Sequence, residues 1–202
     1  MLKSHLNPEV TDKILSPVSR LGLSPNAWSL LSILPASLGF TALLLRNLPL
    51  ALLLFAVSGI VDMVDGVVAR STNRSTTAGA FVDGVLDRYV EFLIILGLDL
   101  YLGEEKPFLM LSVHTWLMLL LFGAVMTSFI RAYADHRGLV KDPVSLKKMG
   151  GLLERAERLM LLYLGMALGI YDPRLIVASV ALGAVLANAT AIQRILFALK
   201  AH

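Results

Sequence analysis

The chain has 202 residues, of which 56% are apolar and only 16% charged, and its mean hydropathy is +0.73. A soluble domain carries about 25% charged residues, so a soluble fold is excluded and the composition is that of an integral membrane protein. The lack of cysteine excludes disulfides, thiolate metal sites and a cysteine nucleophile. A net charge of +3 is too small to argue for nucleic acid as a partner.

The amino terminus shows no signal-peptide pattern, because Asn7, Pro8, Glu9 and Asp12 precede any apolar run. Residues 8–21 place Val10, Ile14 and Val18 at helical spacing, with Lys13 and Arg20 elsewhere. This reads as a short amphipathic interfacial helix broken near Pro17, with a loosely ordered leader as the alternative. Six stretches then approach the roughly 20 apolar residues that a spanning helix needs: 27–46, 49–70, 78–100, 108–133, 153–171 and 174–199. Their separators carry breakers or charges, such as Arg46-Asn47-Leu48-Pro49, Ser71 to Thr77, Gly103 to Pro107, Asp135 to Gly151 and Tyr171-Asp172-Pro173.

The expected fold is therefore an all-α membrane bundle of six transmembrane helices, preceded by the interfacial helix and forming one domain over residues 1–202. Lys and Arg set its orientation. With the amino terminus inside, 14 basic residues fall on inner segments against 3 outside (Arg46, Lys106 and Arg174), leaving Arg88 within the third span. Both termini are expected in the cytoplasm.

The end of the second span and the start of the third carry Asp62, Asp65, Asp83 and Asp87. An ionisable group at the centre of a span costs roughly 2.5–3.5 kcal/mol, and even near the cytoplasmic ends four carboxylates call for something to neutralise them. Asp62 and Asp65 are i, i+3 and Asp83 and Asp87 are i, i+4, so each pair shares a helix face. A short loop makes the two helices antiparallel neighbours, and Gly66 and Gly79 allow close backbone approach. Hard oxygen donors of this kind suit Mg²⁺ or Mn²⁺. Two such ions about 3.5–4 Å apart clamp a phosphoryl group for in-line displacement. Two other readings fit the charges alone: ion pairs with Arg70, Arg74 and Arg88, or the path of a small cation transporter. A transporter would need acidic or polar residues continuing through the outer halves of the second and third spans, which offer no continuous polar path.

The full spacing is Asp-x2-Asp-Gly-x2-Ala-Arg-x8-Gly-x3-Asp-x3-Asp, filled by Asp62, Asp65, Gly66, Ala69, Arg70, Gly79, Asp83 and Asp87. This resembles the signature of the CDP-alcohol phosphotransferase family, and the six spans and placement of the motif are similar to that family's architecture. The resemblance implies displacement at the β-phosphorus of a CDP-linked lipid, with release of CMP. It implies that Asp62, Asp65, Asp83 and Asp87 hold a metal pair and that Asp87 is the general base. It also implies that Gly66, Ala69 and Gly79 seat the cytidine nucleotide while Arg70 meets its phosphates. Leu23-Ser24-Pro25-Asn26 resembles the element that closes over the nucleotide, which adds Asn26; the alternative is a plain helix start. Donor lipid tails would stay in the bilayer of a prokaryotic plasma membrane, with the site open to the cytoplasm, and the family implies a homodimer.

The acceptor is read from the second half of the chain. Glu154-Arg155-Ala156-Glu157-Arg158 places Arg155 and Arg158 i, i+3, each beside an acid that holds its orientation. A phosphate monoester is gripped by planar multi-donor groups of this kind, whereas Arg137, Lys141, Lys147 and Lys148 follow from topology alone. The segment resembles the phosphatidylinositol-phosphate synthase branch and its archaeal ether-lipid counterparts. That implies inositol phosphate as acceptor, with Arg131, Arg155 and Arg194, then Arg158, on its phosphate. Glycerol 3-phosphate is the alternative acceptor. His114 and Trp116 read as packing or interface residues, and Asp99 as solvated at the outer end of its span.

Overall fold

The computed structural model describes residues 25–71, 76–103, 107–140 and 142–201, and they fold into seven helices. These are α1 (Pro25–Leu44), α2 (Leu48–Ser71), α3 (Thr77–Leu102), α4 (Val113–His136), α5 (Pro143–Lys148), α6 (Arg155–Gly169) and α7 (Pro173–Lys200). The expected interfacial helix at 8–21 lies outside the described residues. The fold is all-helical, as expected. Among the described residues two helices, α4 and α7, are long and apolar enough to cross a membrane by length and composition. Helices α1 and α2 have 20 and 24 residues, and the parts of them with described side chains, Leu30–Leu44 and Leu48–Met63, are apolar. Two expected spans are less apolar or shorter for identifiable reasons. Helix α3 has 26 residues but carries Asp83, Asp87, Arg88, Glu91 and Asp99, whereas α6 has only 15 residues, about 22 Å of rise.

The chain divides into two compact units, residues 1–101 and 102–202. In the first, α1 packs along α2, around a core that includes Leu43, Phe55, Ile94 and Leu98. Two glycines allow close approach: a Cβ on Gly39 would lie 3.2 Å from the Phe55 ring, and one on Gly97 would lie 2.6 Å from Leu43 Cδ1. At the α1–α2 turn, Arg46 adopts a left-handed φ of 60°. Its guanidinium donates to the Tyr101 carbonyl and lies 5.7 Å from the Tyr101 ring centroid. Asn47 Oδ1 accepts from Leu50 N at 3.1 Å and caps the start of α2.

In the second unit, α7 packs against both α4 and α6. Small residues make this possible, as they do where helices meet in lipid. A Cβ on Gly123 of α4 would stand 2.9 Å from Ala187 Cβ, and one on Gly165 of α6 would stand 2.7 Å from Ser179 Cβ. Asn188 on α7 donates to the Leu119 carbonyl of α4 at 2.9 Å.

The apolar run of the fourth span begins at residue 108, but the helix starts at Val113. Phe108 and Leu111 instead exchange backbone bonds across Leu109 and Met110, both left-handed. Ser112 then caps α4 by accepting from Thr115 N. Trp116 packs as expected, buried, with its indole donating to the Phe108 carbonyl at 2.8 Å. Helix α5 lies in a segment that the sequence presents as a plain connection. Asp142 caps it, with Pro143 in the first helical position.

Candidate active site

Helix α2 runs toward Asp62 near its end, and α3 begins shortly before Asp83 and Asp87. One turn before Asp62, Ser58 is buried and its Oγ donates to the Ser32 carbonyl of α1 at 2.7 Å. That bond fixes the rotation of α2 against α1 where the acidic stretch starts. One carboxylate oxygen from each of Asp62, Asp83 and Asp87 lies within 4.8 Å of the other two. All three side chains are half-buried.

Three carboxylates brought this close repel one another, and a cation among them relieves that repulsion. Their donors are hard oxygens, and the spacing is that of ligands converging on one divalent ion. The residues present therefore fit a metal centre. The backbone of Asp65, Gly66, Ala69 and Arg70 belongs to α2, and that of Asn26 to α1. Their side chains lie outside the described residues. Gly79 lies in the first turn of α3, four residues before Asp83. Its amide donates to Thr76 Oγ1 at 3.0 Å, so the residue preceding α3 caps the helix at the glycine.

Arg88, one of the cations considered as a partner for the aspartates, forms an ion pair with Glu91 on its own helix at 3.1 Å. Glu91 is buried, and the motif-based reading of the sequence does not include it. The available signal is a carboxylate one turn beyond Asp87 in an otherwise apolar run, since an intramembrane acid calls for a named partner.

The arginines expected to hold an anion lie in the second unit. Arg194 is buried on α7. Its Nη1 donates to the Thr127 carbonyl at 2.5 Å, its Nε to the Gly150 carbonyl at 3.4 Å, and its Nη2 lies 3.6 Å from Glu154 Oε1. Arg131 follows Thr127 by one turn of α4, and Arg155 follows Glu154 at the start of α6, so Arg194 bridges the two segments that carry them. Arg131 and Arg155 are half-buried, whereas Arg158 is 1% exposed.

The loop before α6 is held by α7 as well. Thr190 Oγ1 accepts from Leu153 N at 3.0 Å, and Gln193 Oε1 accepts from Leu152 N at 3.2 Å. Neither residue stands out as a site residue in the sequence, although Thr190, Gln193 and Arg194 are polar at i, i+3 and i+4 of an apolar helix. Glu154 caps α6 without a side-chain bond to the helix, and its carboxylate faces Arg194 instead.

The same combination of sequence and fold occurs in known proteins. The CDP-alcohol phosphatidyltransferase family matches residues 23–195. The archaetidylinositol phosphate synthase of Aeropyrum pernix is 30% identical over 196 residues, covering 97% of this chain and 93% of its own. Crystal structures of Mycobacterium tuberculosis phosphatidylinositol phosphate synthase share the fold at 24% identity. The form with CDP-DAG bound has a TM-score of 0.79 and covers 94% of each chain. The form with manganese and citrate has the same score, covering 94% of this chain and 88% of that one. The match over most of the chain, and the aspartate triad it includes, make this membrane protein a member of the CDP-alcohol phosphatidyltransferase family.

Proposed function

We propose that this transferase moves a phosphatidyl-type group, on diacylglycerol or archaeol, from a CDP-linked lipid to inositol phosphate with release of CMP. The convergence of Asp62, Asp83 and Asp87 is the observation that carries the reaction class. Asp65 is the fourth carboxylate of the set. These residues would hold Mg²⁺ or Mn²⁺, as a pair of ions, and the manganese in the related crystal structure supports that choice. Divalent ions supply charge neutralisation on a pyrophosphate.

The chain's own groups do the rest. Asp87 accepts the proton of the attacking hydroxyl, a task for a carboxylate held in place by its neighbours. Gly66, Ala69 and Gly79 leave room for the cytidine nucleotide, Arg70 meets its phosphates, and Asn26 lies in the segment that closes over it. The bound CDP-DAG of the related structure supports a CDP-lipid donor.

The acceptor rests on the arginines and on the names of the relatives. Arg131 and Arg155, half-buried, present donors to the acceptor's phosphate. Arg194 and then Arg158, both buried, complete the set of arginines for that phosphate. In the cell we place the chain as one six-span domain in a prokaryotic plasma membrane. Both termini and the site face the cytoplasm, in keeping with the bias of basic residues, and the working form is a homodimer, as the family resemblance implies.

The test is CMP release by the purified protein in detergent with a CDP-lipid and Mg²⁺, across inositol phosphate, inositol, glycerol 3-phosphate and serine. Release with inositol phosphate supports the reading. Release only with glycerol 3-phosphate keeps the reaction and overturns the acceptor, and no release with any of them overturns both.

A further inference from the structure

Hydrogen bonds and an ion pair converge on a small region of the second unit. The segment Gly150–Glu154 has no helix of its own to satisfy its backbone. One face of α7 serves it instead. Thr190 Oγ1 accepts from Leu153 N at 3.0 Å and donates to its own helix at Leu186 O at 2.8 Å. Gln193 Oε1 accepts from Leu152 N at 3.2 Å. Arg194 donates to Gly150 O at 3.4 Å and to Thr127 O at 2.5 Å, and meets the Glu154 carboxylate at 3.6 Å. Gly151 is pressed so closely on Thr190 that a Cβ there would overlap that side chain. Leu153 is buried, so its amide has little access to water once Thr190 is gone.

The backbone from Gly150 to Glu154 runs directly into Arg155. From there the helix is rigid through Arg158, starting with the bond from Arg158 N to Glu154 O at 2.9 Å. Any slack in the segment would therefore be passed on to the position and orientation of both arginines. A planar guanidinium grips a phosphate only within a narrow range of angles, so such slack weakens anion binding more than it weakens the fold.

We infer that Thr190 and Gln193 are positioning residues: with Arg194 they clamp Gly150–Glu154 and so set the geometry of the Arg155 grip on a phosphorylated acceptor. The inference rests on the acceptor reading above. The clamp acts through Arg155, touches no substrate itself, and predicts a defect in acceptor affinity rather than in the handling of the CDP-lipid.

The experiment uses the full chain in detergent. Thr190→Val and Gln193→Met remove the two acceptor oxygens at similar volume, and Thr190→Ser and Gln193→Glu keep an oxygen in each place. In the double variant T190V/Q193M, KM for inositol phosphate is expected to rise about tenfold, as two lost hydrogen bonds loosen the segment. KM for the CDP-lipid should stay within about twofold, since the loosened segment carries the acceptor's grip and not the donor's. The double variant T190S/Q193E should restore the acceptor KM. Amide exchange at Leu152 and Leu153 should quicken in T190V/Q193M alone, a readout that needs no turnover. An unchanged acceptor KM, equal rises for both substrates, or a failure of T190S/Q193E to rescue would each overturn the clamp. The wild-type acceptor profile separates this from the reading beneath it. If the wild type uses glycerol 3-phosphate instead, the acceptor reading fails, and the same variants measured with that phosphate still decide the clamp.

Discussion

Arg194 and Glu154 meet at 3.6 Å, a guanidinium from the carboxyl-terminal part of α7 and a carboxylate from the residue that caps α6. The arginine also donates to carbonyls on α4 and on the loop before α6, so one buried cation ties three stretches of chain together. Arg194→Ala should leave Glu154 and both carbonyls without it, lowering stability by about 3 kcal/mol. Arg194→Lys keeps the charge but cannot reach all three partners at once, so its loss should be intermediate. Thermal unfolding in detergent orders the three proteins. A Lys variant as stable as the wild type would show that charge, not the planar fork, holds this region.

The metal centre makes a separate prediction. Chelation with EDTA should abolish CMP release, and Mg²⁺ or Mn²⁺ should restore it, since hard oxygen donors bind both. Asp62→Asn and Asp83→Asn each replace a charged ligand with a neutral one, and the metal concentration for half-maximal rate should rise at least about tenfold. Asp87→Asn should in addition lower the rate at saturating metal by about 10²- to 10⁴-fold, the usual contribution of a general base. Titration of Mn²⁺ followed by electron paramagnetic resonance checks binding apart from turnover. Full activity of Asp87→Asn at high metal would remove Asp87 from the role of base.

Much of this is legible in the sequence because lipid imposes simple rules. Apolar runs of helical length place α1 to α4, α6 and α7 to within a few residues, apart from the late start of α4 at Val113. The carboxylates stand out because an apolar span does not tolerate them idly, and Asp62, Asp83 and Asp87 do come together. What the sequence conceals is carried by neutral polar groups and by backbone. Thr190 and Gln193 carry no charge, so neither is conspicuous beside Arg194 near the end of the last span, yet their oxygens accept the Leu153 and Leu152 amides. Helix α5 is too short to show a period. Asp142-Pro143, a cap followed by the residue best suited to the first helical position, is its one clear signal. The short turn at Leu109 and Met110 lacks the Asn or Gly that normally marks left-handed positions.

Packing between α6 and α7 depends on Gly165, whose Cβ would stand 2.7 Å from Ser179 Cβ. Gly165→Ala should therefore push the helices apart and cost about 1–3 kcal/mol, as overpacking does. Ser179→Gly made in the same chain removes the obstructing side chain. The double variant should recover most of the loss, less about 1 kcal/mol for the added helical glycine. Unfolding of both single variants and the double in one detergent gives the coupling directly. Additive losses would place the two residues out of contact.

Asp142 caps α5, and the Val144 amide, followed by the Ser145 hydroxyl and amide, holds its carboxyl below the ordinary 3.8. A depressed carboxylate stabilises the folded form above its ordinary value, and that contribution is lost as pH falls through the lower, folded value. Amide protection of residues 144–149 should therefore be full at neutral pH and decline below about pH 3.8. Asp142→Ala should show the lowered protection already at pH 7, with no further decline from this group on acidification.

Arg155 and Arg158 lie three residues apart on α6 and should nevertheless behave differently when cut back to alanine. Arg158 is 1% exposed, so its removal leaves a cavity and strands the groups it served, at about 3 kcal/mol. Arg155 is half-buried at the helix start, where its donors can meet an anion. Arg155→Ala should cost little stability but raise KM for inositol phosphate about 10- to 100-fold, the worth of a charge-assisted hydrogen bond to phosphate. Arg155→Lys should recover only part of that affinity, because an ammonium cannot make the two parallel bonds of a guanidinium. Initial-rate kinetics and thermal unfolding on the same preparations separate the effects. If Arg155→Ala lowers the melting temperature as much as Arg158→Ala and leaves KM unchanged, Arg155 is scaffold, and the acceptor's phosphate is held elsewhere.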